Sequence, residues 1–131
     1  DTNVVEFHLY DSDLNSGKNE YQYKSDCEKI NARGNGSIAF LTKKREMENY
    51  IPISVYKEYF KEITWEEGID QDNFDFPSFV KTHIPKLDEK AVKNIINGSV
   101  AKKLTKEHLD GINAWDEVKG WFEELKKLYE V

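Results

Sequence analysis

A hydrophobic run that stops dead on two aspartates constrains this chain more than any other feature. Val4 to Tyr10 reads VVEFHLY and is followed at once by Asp11-Ser12-Asp13-Leu14-Asn15-Ser16-Gly17. The run is short, β-branched and aromatic, which is the signature of a strand. Val5, Phe7 and Leu9 share one face of it, and the polar cluster that follows is a loop by composition. Tyr23, Cys27 and Ile30 recur at helical spacing within Asn19 to Ala32, and Gly34 and Gly36 end that segment. Ser37 to Thr42 (SIAFLT) is a second strand. Strand, crossover helix and strand make a βαβ unit, so the two strands are expected to run parallel.

Beyond Thr42 the pattern turns helical. Pro52 breaks the chain, and Ser54 is placed to cap a helix to about Glu62, with Val55, Tyr59 and Phe60 facing inward. Trp65 to Asp75 reads as an acidic surface loop. Phe79, Val80 and Ile84 mark a short helix ended by Pro85. Asp88 caps a helix running to Asn97, which Gly98 is expected to end. Asn113 is expected to cap a final helix with a stripe of Trp115, Val118, Phe122, Leu125 and Tyr129. The fold class is therefore α/β, with parallel strands first and a helical C-terminal region after. The linear division falls at 1–63 and 64–131.

The 131 residues suit one domain-sized body, and 38% hydrophobic content suffices for a core. The net charge of −6 gives no basic footprint of the kind nucleic-acid binders usually carry, so a nucleic-acid groove would have to be a local patch. One cysteine, Cys27, excludes an internal disulfide. No apolar run approaches the roughly 18–20 residues a membrane helix needs, and a cytoplasmic setting is the default expectation. The start at Asp1, without Met, suggests a piece of a longer protein.

Hard cations such as magnesium take oxygen ligands, and two carboxylates one residue apart at a strand end can converge on an ion. In open α/β sheets, sites lie beyond the carboxyl ends of the strands, where Asp11 and Asp13 fall. The plain alternative is a turn, since Asp and Ser are common turn formers. An EF-hand loop counted from Asp11 fails, with Ser16 and Gln22 where Gly and Glu are required. A P-loop fails at Gly17-Lys18-Asn19, which lacks the upstream glycine and the hydroxyl. A haloacid-dehalogenase-like phosphatase also begins with a strand and Asp-x-Asp, with Asp11 then the nucleophile, although Asn15 stands where that family usually has Thr or Val. A glycosyltransferase Asp-x-Asp stays open, on a chain short for one.

The segment Lys44-Arg45-Glu46-Met47-Glu48-Asn49-Tyr50 follows the second strand, on the same predicted sheet edge. Read blandly, it is a solvated turn with Tyr50 packing. Together with Asp-x-Asp it resembles the Toprim domains of the overcoming-lysogenization-defect (OLD) family and related ATPase-linked nucleases. In those, a strand ends in Asp-x-Asp and a later one leads into a segment like "REIENY". Leu104-Thr105-Lys106-Glu107-His108-Leu109 and Asp116-Glu117-Val118-Lys119-Gly120-Trp121-Phe122 are similar to the helical end of such proteins, so the resemblance spans nearly the whole sequence.

The resemblance implies a Toprim-like βαβ remnant and a metal-dependent endonuclease acting on DNA, or on RNA, with phage defence as one setting. It implies Mg2+ or Mn2+ held by Asp11 and Asp13. Glu46 and Glu48 would complete the site or orient water. Lys102, or its neighbour Lys103, would stabilise phosphate charge; a solvated helix face is the plainer reading of both. An ATPase domain is expected upstream, and a homodimer of the full-length protein is a further expectation. The sequence departs from the family in lacking the earlier strand and its catalytic Glu; Glu6 lies inside a strand and cannot play that part. The piece alone is expected to be inactive. The competing readings are the phosphatase and a non-catalytic interaction domain. His8, His83 and His108 are scattered and do not make a zinc site, and Cys27 reads as core.

Overall fold

In a computed structural model, residues 4–129 are described, Lys18 by its backbone alone. The start at Asp1 lies outside the described residues. The protein is mixed α/β, 52% helical, with a two-stranded parallel sheet and six α-helices among the described residues. It divides into two compact units, residues 1–46 with 115–131, and residues 47–114. The linear division after residue 63 thus differs from the division by packing, because the last helix belongs with the strands.

In the first unit β1 (Phe7–Tyr10) and β2 (Ile38–Leu41) pair in parallel, from Phe7 opposite Ile38 to Tyr10 opposite Leu41. The Ile38 amide donates to the Glu6 carbonyl at 3.0 Å and the Thr42 amide to the Tyr10 carbonyl at 2.9 Å. The first strand is shorter than its apolar run. Val4 and Val5 are exposed and lie outside it, because the facing segment there is the Gly34–Gly36 turn, with both glycines at positive φ, and offers no ladder.

Helix α1 (Lys24–Asn31) starts later than its periodicity suggests, since Tyr21 sits at φ 55° and breaks the helical run. It buries Cys27 and Ile30 against Ala39, with Tyr10 and Leu41 packed beside them. Its last residue, Asn31, grips β2: the side-chain amide donates to the Ala39 carbonyl at 3.1 Å and accepts from the Ala39 amide at 2.9 Å. Phe7 and Phe40, with ring centroids 5.9 Å apart, share the opposite face.

The second unit has α2 (Ile53–Tyr59), α3 (Phe76–His83), α4 (Glu89–Ile95) and α5 (Lys106–Gly111). Its core holds Tyr56, Phe76, Val80, Val92, Ile96 and Val100, all without solvent exposure. Tyr56 stacks on Phe76 with centroids 4.1 Å apart. Asp75 caps α3 through the Ser78 amide, and Asp88 caps α4 through the Ala91 amide.

Gly98 does not end its helix as expected; the backbone runs on as a π-helical segment, Ile96–Val100, and a 3-10 turn, Ala101–Lys103. Val92, Ile96 and Val100 form a fully buried stripe spaced by four, and each such side chain contributes roughly 1.5–3 kcal/mol. That outweighs the ~1 kcal/mol a helical glycine costs.

Helix α6 (Trp115–Tyr129) belongs to the first unit. Asn113 does not cap it: at φ 57°, with its amide donating to the Asp110 carbonyl, it closes α5 instead. The buried face of α6 is Val118 and Trp121, whereas Phe122 is 63% and Tyr129 83% exposed. No helix among the described residues is long and apolar enough to cross a membrane.

Candidate metal centre

Parallel pairing brings the carboxyl ends of β1 and β2 side by side, and the loops leaving them are bolted together. The residue between the two aspartates does most of this. Ser12, 1% exposed, donates its amide to Thr42 Oγ1 at 3.0 Å and its hydroxyl to the Lys44 carbonyl at 2.9 Å. Thr42 Oγ1 also donates to the Lys44 carbonyl, at 2.7 Å. The Asp13 amide donates to the Arg45 carbonyl at 2.8 Å, and the Tyr21 amide to the Ser12 carbonyl at 2.7 Å. Ser12 and Thr42 carry no charge and escape a search for charged motifs; a hydroxyl in the variable place of Asp-x-Asp and a threonine closing the next strand are the signals that could have found them.

The segment after Arg45 is fixed as firmly. Met47–Tyr50 forms a 3-10 turn whose Glu48, Asn49 and Tyr50 are buried. Tyr56 Oη donates to the Glu48 carbonyl at 2.6 Å. Asn49 Nδ2 donates to the Gln71 and Phe74 carbonyls at 3.2 and 2.8 Å, and Gln71 Nε2 donates back to the Asn49 carbonyl at 3.1 Å. Asn49 and Tyr50 in the motif are therefore anchors for the acidic residues beside them.

Asp11, Glu46 and Glu48 each present one carboxylate oxygen, and the three oxygens lie within 4.8 Å of one another. Asp11 follows the last residue of β1, and Glu48 follows Glu46 by two residues on the turn just described. Glu48 is 4% exposed, and Asp11 and Glu46 are half-buried. At such separations two carboxylates repel by about 3–4 kcal/mol in partly buried surroundings. Arg45 Nε lies 3.6 Å from Glu46 Oε1 and offsets part of this. The donor set suits a hard cation: oxygen ligands about 2.1 Å from magnesium sit at most about 4.2 Å apart, and calcium-like distances reach a little further. Three ligands of one octahedral magnesium ion include neighbouring pairs about 3.0 Å apart, so carboxylate oxygens separated by up to 4.8 Å must draw closer to share one ion.

Asp13 stands outside this group of three. The backbone turns left-handed there, at φ 52°, and its Oδ2 accepts from Gln22 Nε2 at 2.9 Å. Its carbonyl accepts from the Ser16 amide at 3.0 Å and from the Ser16 hydroxyl. Lys102 and Lys103 are exposed on the turn Ala101–Lys103 in the second unit.

The three histidines have structural partners. His8 lies between Glu6 Oε1 at 3.1 Å and Tyr10 Oη at 3.3 Å, and its ring stacks on Tyr10. Arg33 and His8 hold the Glu6 carboxyl below its ordinary value through hydrogen bonds. Burial, and then Asp26, push the Tyr10 phenol up. His83 Nδ1 bonds the Phe79 carbonyl at 2.9 Å, and His108 Nδ1 accepts from the Thr105 amide at 3.0 Å in a capping box. Burial pushes the Cys27 thiol up, which disfavours the nucleophilic thiolate.

No protein-family model, curated protein or solved structure matches this sequence.

Proposed function

We propose that this protein supplies the carboxylate cradle of a divalent-metal site that hydrolyses phosphodiesters, as a Toprim-type nuclease acting on DNA within a larger ATPase-linked protein. The observation that carries the reading is the convergence of Asp11 with Glu46 and Glu48, from two motifs separated by a helix and a strand. Asp11 and Glu48 are the ligands, with Glu46 completing the set beside Arg45. Ser12 and the Asn49–Gln71 pair hold the segments that present them. Asp13 acts by bracing the loop through Gln22. A bound magnesium or manganese ion supplies an acidified water and charge stabilisation at the phosphoryl oxygens. The Toprim resemblance adds a lysine for phosphate charge, for which Lys102 is the candidate, and a homodimeric full-length assembly.

Manganese titration calorimetry tests this directly. Asp11→Asn and Glu48→Gln are expected to lose most of the binding heat, and Asp13→Asn to lose less. Plasmid nicking by the full-length protein should disappear in Asp11→Asn while circular dichroism stays unchanged. Identical isotherms for the parent and Asp11→Asn would falsify the site. A phosphoaspartyl adduct trapped on Asp11 would replace the nuclease reading with the phosphatase one.

A further inference from the structure

The sequence has two Asn-Gly pairs, Asn35-Gly36 and Asn97-Gly98, and the fold treats them in opposite ways. Asn35 and Gly36 lie in the bend between α1 and β2, outside any helix or strand, with Gly36 exposed. Gly36 sits at φ 92°, a conformation that L side chains rarely adopt, so the turn itself demands glycine after Asn35. That glycine leaves its backbone nitrogen without a side chain to shield it. The Ser37 amide donates to Asn35 Oδ1 at 3.0 Å, and Asn35 Nδ2 donates to the Val4 carbonyl at 3.2 Å.

We propose that Asn35 is a site of spontaneous self-modification, in which its side chain closes on the Gly36 nitrogen. A bond forms between the Gly36 nitrogen and Asn35 Cγ. The Cγ–Nδ2 bond breaks, and Nδ2 leaves as ammonia with the proton shed by the Gly36 nitrogen. The product is a five-membered imide. Water then opens the ring, giving aspartate when the new Cγ–N bond is cut and isoaspartate when the original backbone peptide bond is cut. Negative charge develops on Asn35 Oδ1 as the nitrogen adds, and the Ser37 amide is aimed at that oxygen, the arrangement that stabilises an oxyanion.

Asn97 is the internal contrast. It lies in the helical segment Ile96–Val100 with its Nδ2 donating to the Lys93 carbonyl at 3.0 Å. Helical backbone keeps Cγ and the following nitrogen from lining up, and alignment of the reacting atoms governs the rate.

The conversion changes the fold locally. Aspartate at 35 still accepts from the Ser37 amide but has no N–H for the Val4 carbonyl, so the lead-in to β1 loses a tie. It also adds a negative charge to a protein already at −6. Isoaspartate lengthens the backbone by one carbon just before Ile38, where the register with Phe7 begins.

The test is peptide mapping by mass spectrometry of folded protein held at body temperature, at neutral and mildly alkaline pH, beside the same protein in denaturant. The Asn35 peptide is expected to convert at least about tenfold faster than the Asn97 peptide in the folded state. In denaturant the two should convert at similar rates. Asn35→Gln should abolish the acidic isoform and keep the parent far-ultraviolet spectrum. Asn97 keeping pace with Asn35 in the folded protein would overturn the proposal. So would folding that protects both positions relative to denaturant.

Discussion

Ser12 is the residue on which the candidate centre turns, though it carries none of its charge. Its hydroxyl and amide tie the loop after β1 to the loop after β2, so Asp11 is presented from a braced position. Ser12→Ala is expected to cost about 1 kcal/mol, the usual net worth of one such hydrogen bond. It should also weaken manganese binding although Asp11, Glu46 and Glu48 are untouched. Urea unfolding and calorimetry together check this; an unchanged midpoint with unchanged affinity would show that Ser12 does not position the acids. The nearness of the acids is legible in the sequence because parallel pairing brings the loops that follow the two strands to one edge of the sheet. The part of Asp13 is not. Alternation of side chains holds along a strand, but the left-handed turn at Asp13 sends its carboxylate toward Gln22.

At the scale of the element, local pattern finds the helices and misjudges their ends and faces. The stripe spaced by three and four in α6 extends by periodicity through Phe122 and Tyr129, yet the inward side is set by Val118 and Trp121. Periodicity defines an apolar sector, and only packing fixes how it is turned. Gly98 shows the same limit, since buried neighbours overrule a glycine's preference. A different glycine offers a measurable consequence. Gly120 lies inside α6, and a Cβ built there meets nothing within 4 Å. Gly120→Ala is therefore expected to stabilise the protein by up to about 1 kcal/mol, raising the melting temperature by a few degrees. A lower melting temperature would mean that the site is not open.

Across the whole molecule, nothing in the sequence shows that the polypeptide leaves the α/β unit at Glu46 and rejoins it at Trp115. Shifts in composition mark where one kind of element gives way to another. They carry no information on which distant segments meet, because that depends on which apolar faces find each other. The βαβ pattern is legible because a short crossover almost compels parallel strands. The placement of α6 with that unit has no local signature at all.

The grip of Asn31 on Ala39 bears on how the protein behaves in a crowded solution. Because the Ile38 amide points to β1, the Ala39 amide and carbonyl point away from it. A bare strand edge there would be a template for foreign chains. One side-chain amide satisfies both groups and acts as a stopper on sheet growth. Asn31→Leu keeps a side chain of similar size and unplugs that edge. Light scattering over a concentration series is expected to show concentration-dependent assembly in the variant and none in the parent. A variant that scatters like the parent would mean that other features of the sheet keep it from recruiting strands.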